Sequence, residues 1–306
     1  MHKISATVVF FGSGPVAAKA LALLAEDFEI EAVITKPQPA HHKEDFPVLA
    51  TSQKLGLKTF TPRNKVELSE LFRQKPVRSR LGVVIDYGII IAQDVIDYFP
   101  LGIVNSHFSL LPQWRGADPI SFSILSGQKK TGVSLMLIVE ALDEGPLLAQ
   151  SEWLIEPDVT TPKLSEELIE LSHELLKAML PLYVAGKTEP AEQAAVTIAD
   201  SKEPTYSRKL TKQDGMLDFS KPAEHLEREV RAFAGWPRSR TAIGDVTVIV
   251  TNAHVSEGQG EPGKLWLQDK QLGFYTARGV LVIDRLIPAG KKEMSAAAFL
   301  AGYKLR

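Results

Sequence analysis

Apolar residues recur along this chain in two rhythms. The run "ATVVFFG" (residues 6–12) is continuously apolar around a β-branched pair, which suits a buried strand. The turn Gly12-Ser13-Gly14-Pro15 closes it, and "VAAKALALLAE" then spaces its apolar residues at helical intervals. Strand, tight turn and helix open an α/β unit. "IEAVITKP" reads as a second strand, "PVLATSQKLG" as a helix closed by Gly56, and "LGVVIDYG" and "LGIVNSHFS" as two further strands. Strands alternating with helices predict a doubly wound, mostly parallel, Rossmann-like sheet of the α/β class.

The rhythm breaks at "KTGVSLMLIVEALDEGPLLAQSEWLI", where two β-rich runs flank the turn Asp143-Glu144-Gly145-Pro146 with no helix between them. An antiparallel excursion is expected there. "TPKLSEELIELSHELLKAMLPLYVAG" follows as a long amphipathic helix, begun by Thr161-Pro162 and stopped by Gly186. It closes a first domain at 1–188. Residues 189–207 lose periodicity, carry Pro and Glu, and read as a linker. Beyond them, "LDFSKPAEHLEREVRAF" predicts a helix with Ser220 as N-cap, Pro222 just inside its start and Glu224 in the first turn. Short strands with Gly turns complete a second domain at 208–306, expected to be an OB-like β-barrel.

Composition narrows the chemistry. The 306 residues include no Cys, which excludes disulfides, a thiolate nucleophile and Cys-based zinc. Gly14-Pro15 and Lys19 interrupt the early apolar run, so it does not read as a signal peptide. No stretch approaches the ~18 continuous apolar residues of a membrane span, and a cytoplasmic protein is expected. The net charge of −2 divides unevenly, −7 over residues 1–206 and +5 over 207–306. Such asymmetry hints at a polyanionic partner for the basic part.

The candidate chemistry lies in "GIVNSHFSLLPQWRGADP" (102–119). Residues i and i+2 of a strand share a face, so Asn105 and His107 are delivered to one spot. If Asp143 meets them at the carboxyl ends of the strands, where open α/β sheets bind ligands, the three suit acyl transfer. An amide and a protonated imidazole can donate to a developing oxyanion, and the carboxylate can hold His107 charged and relay a proton from the attacking amine. A hydrogen-bonded strand end beside a turn Asp explains the same spacing. Elsewhere, Gly12-Ser13-Gly14 after a strand also suits a dinucleotide loop of an NAD(P)-dependent dehydrogenase, although no acidic ribose partner is well placed. His41-His42 has only Glu44 and Asp45 beside it, and no metal is expected. In "RAFAGWPRSR", Arg231, Arg238 and Arg240 flank Trp236, which suits phosphate contacts with stacking or a packed Trp-Pro corner.

"NSHFSLLPQWRGADPI" with "LDEG" resembles the N-x-H-x-S-L-L-P…D signature of the 10-formyltetrahydrofolate-dependent formyltransferases. "KLTKQDGMLDFSKPAEHLEREVRAFAGWP" and "PAGKKEMSAAAFLAGYKL" are similar to the C-terminal part of the members that formylate initiator methionyl-tRNA. The resemblance implies Asn105, His107 and Asp143 as the catalytic trio. It implies Ser109, Leu110, Leu111 and Pro112 as the folate-binding loop, with Tyr87, Gly88 and Ile89 lining the pterin pocket through strand-end backbone. It further implies 10-formyltetrahydrofolate as co-substrate, initiator methionyl-tRNA as acceptor, and a monomer. Lys43, Arg231, Trp236, Arg238 and Arg240 are the expected tRNA contacts. Three departures stand out: "GSGPVA" for G-T-P-x-F-A, "LDEGP" for L-D-T-G-D, and "TKPQPAHHKEDFPV" for a longer, Arg-rich loop. The last two favour, as the alternative, a formyltransferase acting on sugar-nucleotide amines.

Overall fold

In a computed structural model the chain is described over residues 6–38 and 46–303. The predicted opening forms as β1 (Thr7–Phe11), α1 (Pro15–Asp27) and β2 (Glu29–Ile34). After it come α2 (Pro47–Lys54), β3 (Thr59–Phe60), α3 (Lys65–Arg73), β4 (Gly82–Val84), α4 (Gln93–Ile96) and β5 (Ile103–His107). Then follow β6 (Arg115–Gly116), α5 (Pro119–Ser126), β7 (Lys130–Leu137), β8 (Leu147–Leu154), α6 (Thr161–Val184), α7 (Gln193–Val196) and β9 (Tyr206–Ser207). The remainder is α8 (Ala223–Ala232), β10 (Ser239–Ile243), β11 (Val246–Ser256), β12 (Leu265–Gln268), β13 (Gln271–Tyr275), β14 (Val280–Pro288), β15 (Met294–Ser295) and α9 (Ala296–Gly302).

These elements form two interleaved units. One comprises Met1–Gly116, Lys130–Leu154 and Ser165–Tyr206; the other comprises Ala117–Lys129, Ile155–Leu164 and Ser207–Arg306.

The first unit holds a seven-stranded sheet in the order β3-β2-β1-β4-β5-β7-β8. The first five strands are mutually parallel, while β7 and β8 run antiparallel, as the excursion predicted. The chain leaves β1 for β2 on one side and returns to β4 on the other, which makes a topological switch point beside β1. Gly12 is required there by close approach, because a Cβ would fall 2.6 Å from the Ala17 Cβ and 2.9 Å from the Ile85 carbonyl oxygen. Phe11, fully buried, anchors an aromatic cluster with Phe72, Phe99 and Tyr87 at ring separations of 5.9, 6.0 and 5.7 Å. Pairs of this kind contribute ~0.5–1.5 kcal/mol each beyond their area. The third predicted strand is shorter than "LGVVIDYG" suggests: β4 stops at Val84, and Asp86 turns left-handed at φ +48° while its carbonyl accepts from Ser13 N. Helices α3 and α5 were not anticipated by the pattern.

The second unit folds around an antiparallel sheet in the order β10-β11-β14-β13-β12, with β15 also on β14. Register shifts in β11 between Val250 and Ala253 mark the irregularity that bends such a strand. Helix α8 and α9 cover a core that includes Val230, Val250, Phe274, Ile283 and Phe299. The expected N-cap is corrected. Ser220 N and Oγ both donate to Asp218, at 3.0 and 2.7 Å, so its side chain is held in a turn. The cap position falls to Pro222 (φ −64°, ψ 148°), and α8 begins at Ala223.

Candidate active site

Strand alternation delivers Asn105 and His107 to one face of β5, while Ser106 between them bonds Ser172 at 2.6 Å. His107 is 6% exposed, and its Nε2 lies 2.9 Å from the Trp114 carbonyl oxygen. A carbonyl can only accept, so the proton of the neutral ring belongs on Nε2. The nitrogen left facing the other two residues is Nδ1. Asp143 completes the group: its Oδ2 stands 3.8 Å from His107 Nδ1, and its Oδ1 accepts from Asn105 Nδ2 at 3.5 Å. Gly116 N fixes the carboxylate by donating to Oδ2 at 2.7 Å.

The route by which Asp143 arrives differs from the expected meeting of strand ends. Leu137 pairs with Val104 and Ser134 with His107, so β7 finishes where β5 starts. Ile138 N still donates to the Ile103 carbonyl at 2.8 Å. The 138–146 connection therefore lies at the amino edge of β5, and Asp143 reaches back to the carboxyl side. Antiparallel pairing imposes this: a strand beside β5 in the opposite direction must end at β5's beginning. Asp143 itself is left-handed at φ +53°, and Gly145 is packed so closely on the Leu137 carbonyl that a Cβ would collide with it.

The loop after His107 is buried, as its apolar sequence suggested. Ser134 Oγ donates to the Ser109 carbonyl at 2.6 Å and accepts from Leu111 N at 2.9 Å, and Gln150 Nε2 donates to the Leu111 carbonyl at 2.9 Å. Leu110 is 2% exposed, and Leu111, fully buried, packs on Met136 and Leu147. Pro112 is also buried, beyond the cis Leu111-Pro112 bond. Tyr87, Gly88 and Ile89 lie outside any strand. The Tyr87 ring packs on Phe11 and its hydroxyl is buried without a hydrogen-bond partner. Burial pushes that phenol above its ordinary range.

Three participants carried no signal in the sequence: the Trp114 carbonyl, the Gly116 N–H and Gln193. The first two are main-chain groups. Gln193 is a buried side chain in the segment read as a linker, donating from Nε2 to the carbonyls of Asp143 (2.8 Å) and Gly145 (3.0 Å).

The arginines of the second unit differ in commitment. Arg231 is forked onto Glu227 at 2.6 and 3.0 Å and donates to the Val159 carbonyl at 3.1 Å. Arg240 donates to the Lys212 carbonyl. Arg238 is exposed at φ +69°, and its neighbour Trp236 is 58% exposed. Lys43 and His41-His42 lie outside the described residues. Among the described residues, no group of three or more metal-binding side chains is assembled and no helix is long and apolar enough to cross a membrane.

Residues 6–180 match the family described as formyl transferase, and residues 209–304 match its C-terminal domain. The chain belongs to the formyl transferase family. Two similar relatives are named methionyl-tRNA formyltransferase. That of Myxococcus xanthus (strain DK1622) is 36% identical over 307 residues, covering 97% of this chain and 95% of the relative. That of Roseiflexus castenholzii is 32% identical over 311 residues, covering 99% and 97%. Among solved structures, the N-formyltransferase from Helicobacter canadensis in complex with folinic acid and dTDP-3-aminofucose superposes with a TM-score of 0.67 at 15% identity, over 94% of this chain and all of that one. HypX from Aquifex aeolicus in complex with tetrahydrofolic acid gives 0.62 at 18% identity, over 96% of this chain, which spans about half (46%) of HypX. Those two likenesses are of fold.

In this formyltransferase the trio has the makings of an acyl-transfer site. Asn105 Nδ2 carries two hydrogens, of which one faces Asp143 and the second is left for an acceptor. In the protonated ring Nδ1 would carry a second hydrogen, on the side of the Asp143 carboxylate. The contacts of 3.5 and 3.8 Å are longer than the usual hydrogen-bond length.

Proposed function

We propose that this enzyme transfers the formyl group of 10-formyltetrahydrofolate to the α-amine of initiator methionyl-tRNA. The observation that carries the reading is the approach of Asn105, His107 and Asp143, within 3.8 Å of one another through the Asp143 carboxylate. It occurs in a chain that matches relatives named for this reaction along nearly their whole length.

The donor supplies an N-formyl group with a leaving nitrogen. Asn105 Nδ2 and His107 Nδ1–H meet the formyl oxygen as it gains charge, and such preorganised donors are where acyl-transfer catalysis gains most. Asp143 takes the proton that the attacking amine sheds as its bond to the formyl carbon forms. The same proton passes to the departing nitrogen as the old carbon–nitrogen bond breaks, so the trio returns to its starting state. Backbone at Tyr87–Ile89 and in the Ser109–Pro112 loop would hold the pterin end. The orphaned Tyr87 hydroxyl and the strand-free backbone beside it fit a polar planar group. The basic 208–306 region would hold the RNA through phosphates, with exposed Arg238 and Trp236 the best placed of the expected contacts.

The test is formyl transfer by the purified protein, with product masses read for charged initiator tRNA and, separately, for amino-sugar nucleotides. Formyl-methionyl-tRNA is expected. Formylation of the sugar amine alone would overturn the acceptor assignment, and no transfer to either would overturn the reaction.

A further inference from the structure

Asp143 does its work far from the strand that delivers it, so something must hold its backbone. Gln193, 4% exposed at the start of α7, is that clamp. Both hydrogens of its amide are engaged, one on the Asp143 carbonyl (2.8 Å) and one on the Gly145 carbonyl (3.0 Å). Its Oε1 accepts from Arg115 Nη2 at 2.9 Å, and Arg115 Nη1 in turn pairs with Glu144 at 3.0 Å. Three consecutive residues of the acidic turn are thus tied to one amide–guanidinium pair. Gln193 is itself anchored two residues earlier, where Ala191 and Leu147 exchange backbone bonds of 2.9 and 2.8 Å.

We infer that Gln193 is a positioning residue for formyl transfer, acting through the main chain of Asp143. It fixes the left-handed turn that aims the carboxylate at Asn105 and His107. The inference rests on Asp143 as the proton-handling carboxylate of the proposed reaction. Only a side chain with two donors and one acceptor in this geometry satisfies all three partners.

The test compares Gln193→Glu, Gln193→Met and Asp143→Asn in the full-length enzyme, with kcat, KM for each substrate, and melting temperature. Gln193→Glu keeps the acceptor for Arg115 and turns its other oxygen onto the two carbonyls. Gln193→Met removes both donors without adding charge, and serves if the first variant folds poorly. A misplacement of about 1 Å costs up to ~10²-fold in rate, so kcat is expected to fall roughly ten- to a hundredfold while KM for the folate donor stays within about twofold. Gln193→Glu should regain part of its turnover relative to wild type as the pH falls, because a protonated carboxyl recovers one donor. A normal kcat in both Gln193 variants beside an inactive Asp143→Asn overturns the inference alone. A loss of activity that tracks loss of folded protein also overturns it, by making Gln193 merely structural. Normal turnover by Asp143→Asn overturns the proton-handling role of Asp143 and, with it, the inference, while leaving the formyl transfer itself standing.

Discussion

Nε2 of His107 lies 2.9 Å from the carbonyl oxygen of Trp114, and that bond decides which nitrogen is free to work. The side-chain amide nitrogen of an asparagine at this position would stand near Nδ1, whereas that of a glutamine reaches toward Nε2. His107→Asn should therefore retain more turnover than His107→Gln. His107→Ala should lose ~10²–10³-fold, the cost of removing one oxyanion donor. Steady-state kinetics on the three variants checks the order, and an inverted order would assign the working proton to Nε2.

Asn105 and Asp143 share a contact and one proposed transition state, so their effects should not add. Asn105→Ala and Asp143→Ala are each expected to cost ~10²–10³-fold in kcat, and the double variant much less than the product of the two. The folate donor should bind all three with near-normal affinity, as measured by fluorescence titration.

Arg231 and Arg238 should part company under mutation. Arg231 is engaged by Glu227 and by the Val159 carbonyl, so Arg231→Ala should destabilise the protein by about 1–3 kcal/mol. Arg238→Ala should leave the melting temperature unchanged, weaken tRNA binding, and reduce the slope of log affinity against log salt by about 1. Thermal melts and tRNA titrations at several salt concentrations separate the two.

Asp214 gives the second unit an acid-sensitive tie. Its carboxyl accepts from both Arg208 Nη atoms and from Thr211 N at 2.7 Å. These bonds, the Arg208 pair foremost, hold its pKa well below the usual carboxylate range. A depressed folded-state pKa stabilises the protein above the unfolded value of about 3.9 and loses that contribution as the pH falls toward the folded one. Asp214→Asn should therefore melt lower near neutral pH, with the gap to wild type closing below about pH 4. A gap that stays constant with pH would refute the linkage.

What could be read in advance depended on whether a group has a side-chain signature. Asn105 and His107 were legible because a period of two puts them on one face, and Asp143 because an acidic turn stood between two β runs. The edge from which Asp143 arrives was not legible, since a run of apolar residues does not state the direction of its pairing. Trp114 and Gly116 contribute main-chain atoms, which leave no side-chain signature in the sequence. Gln193 lay in an aperiodic stretch whose composition resembles a solvated linker, and only the fold shows that it is buried. Ser220 illustrates the opposite error: a good cap residue was captured by Asp218, two positions before it.

The interleaving of the two units bears on how the protein is made. The chain passes from one unit to the other five times. Residues 117–129 and 155–164 leave the ribosome long before the C-terminal stretch that completes their unit. Leu125 receives Arg228 Nε at 2.9 Å, and Asp118 accepts from Leu210 N at 2.8 Å. Until residues 207–306 have been synthesised, Leu125 and Asp118 lack these partners. At ~5–20 residues per second that wait is several seconds at least. A nascent chain in that interval displays half-built surfaces to chaperones and proteases, and a message truncated near codon 206 would leave the condition permanent.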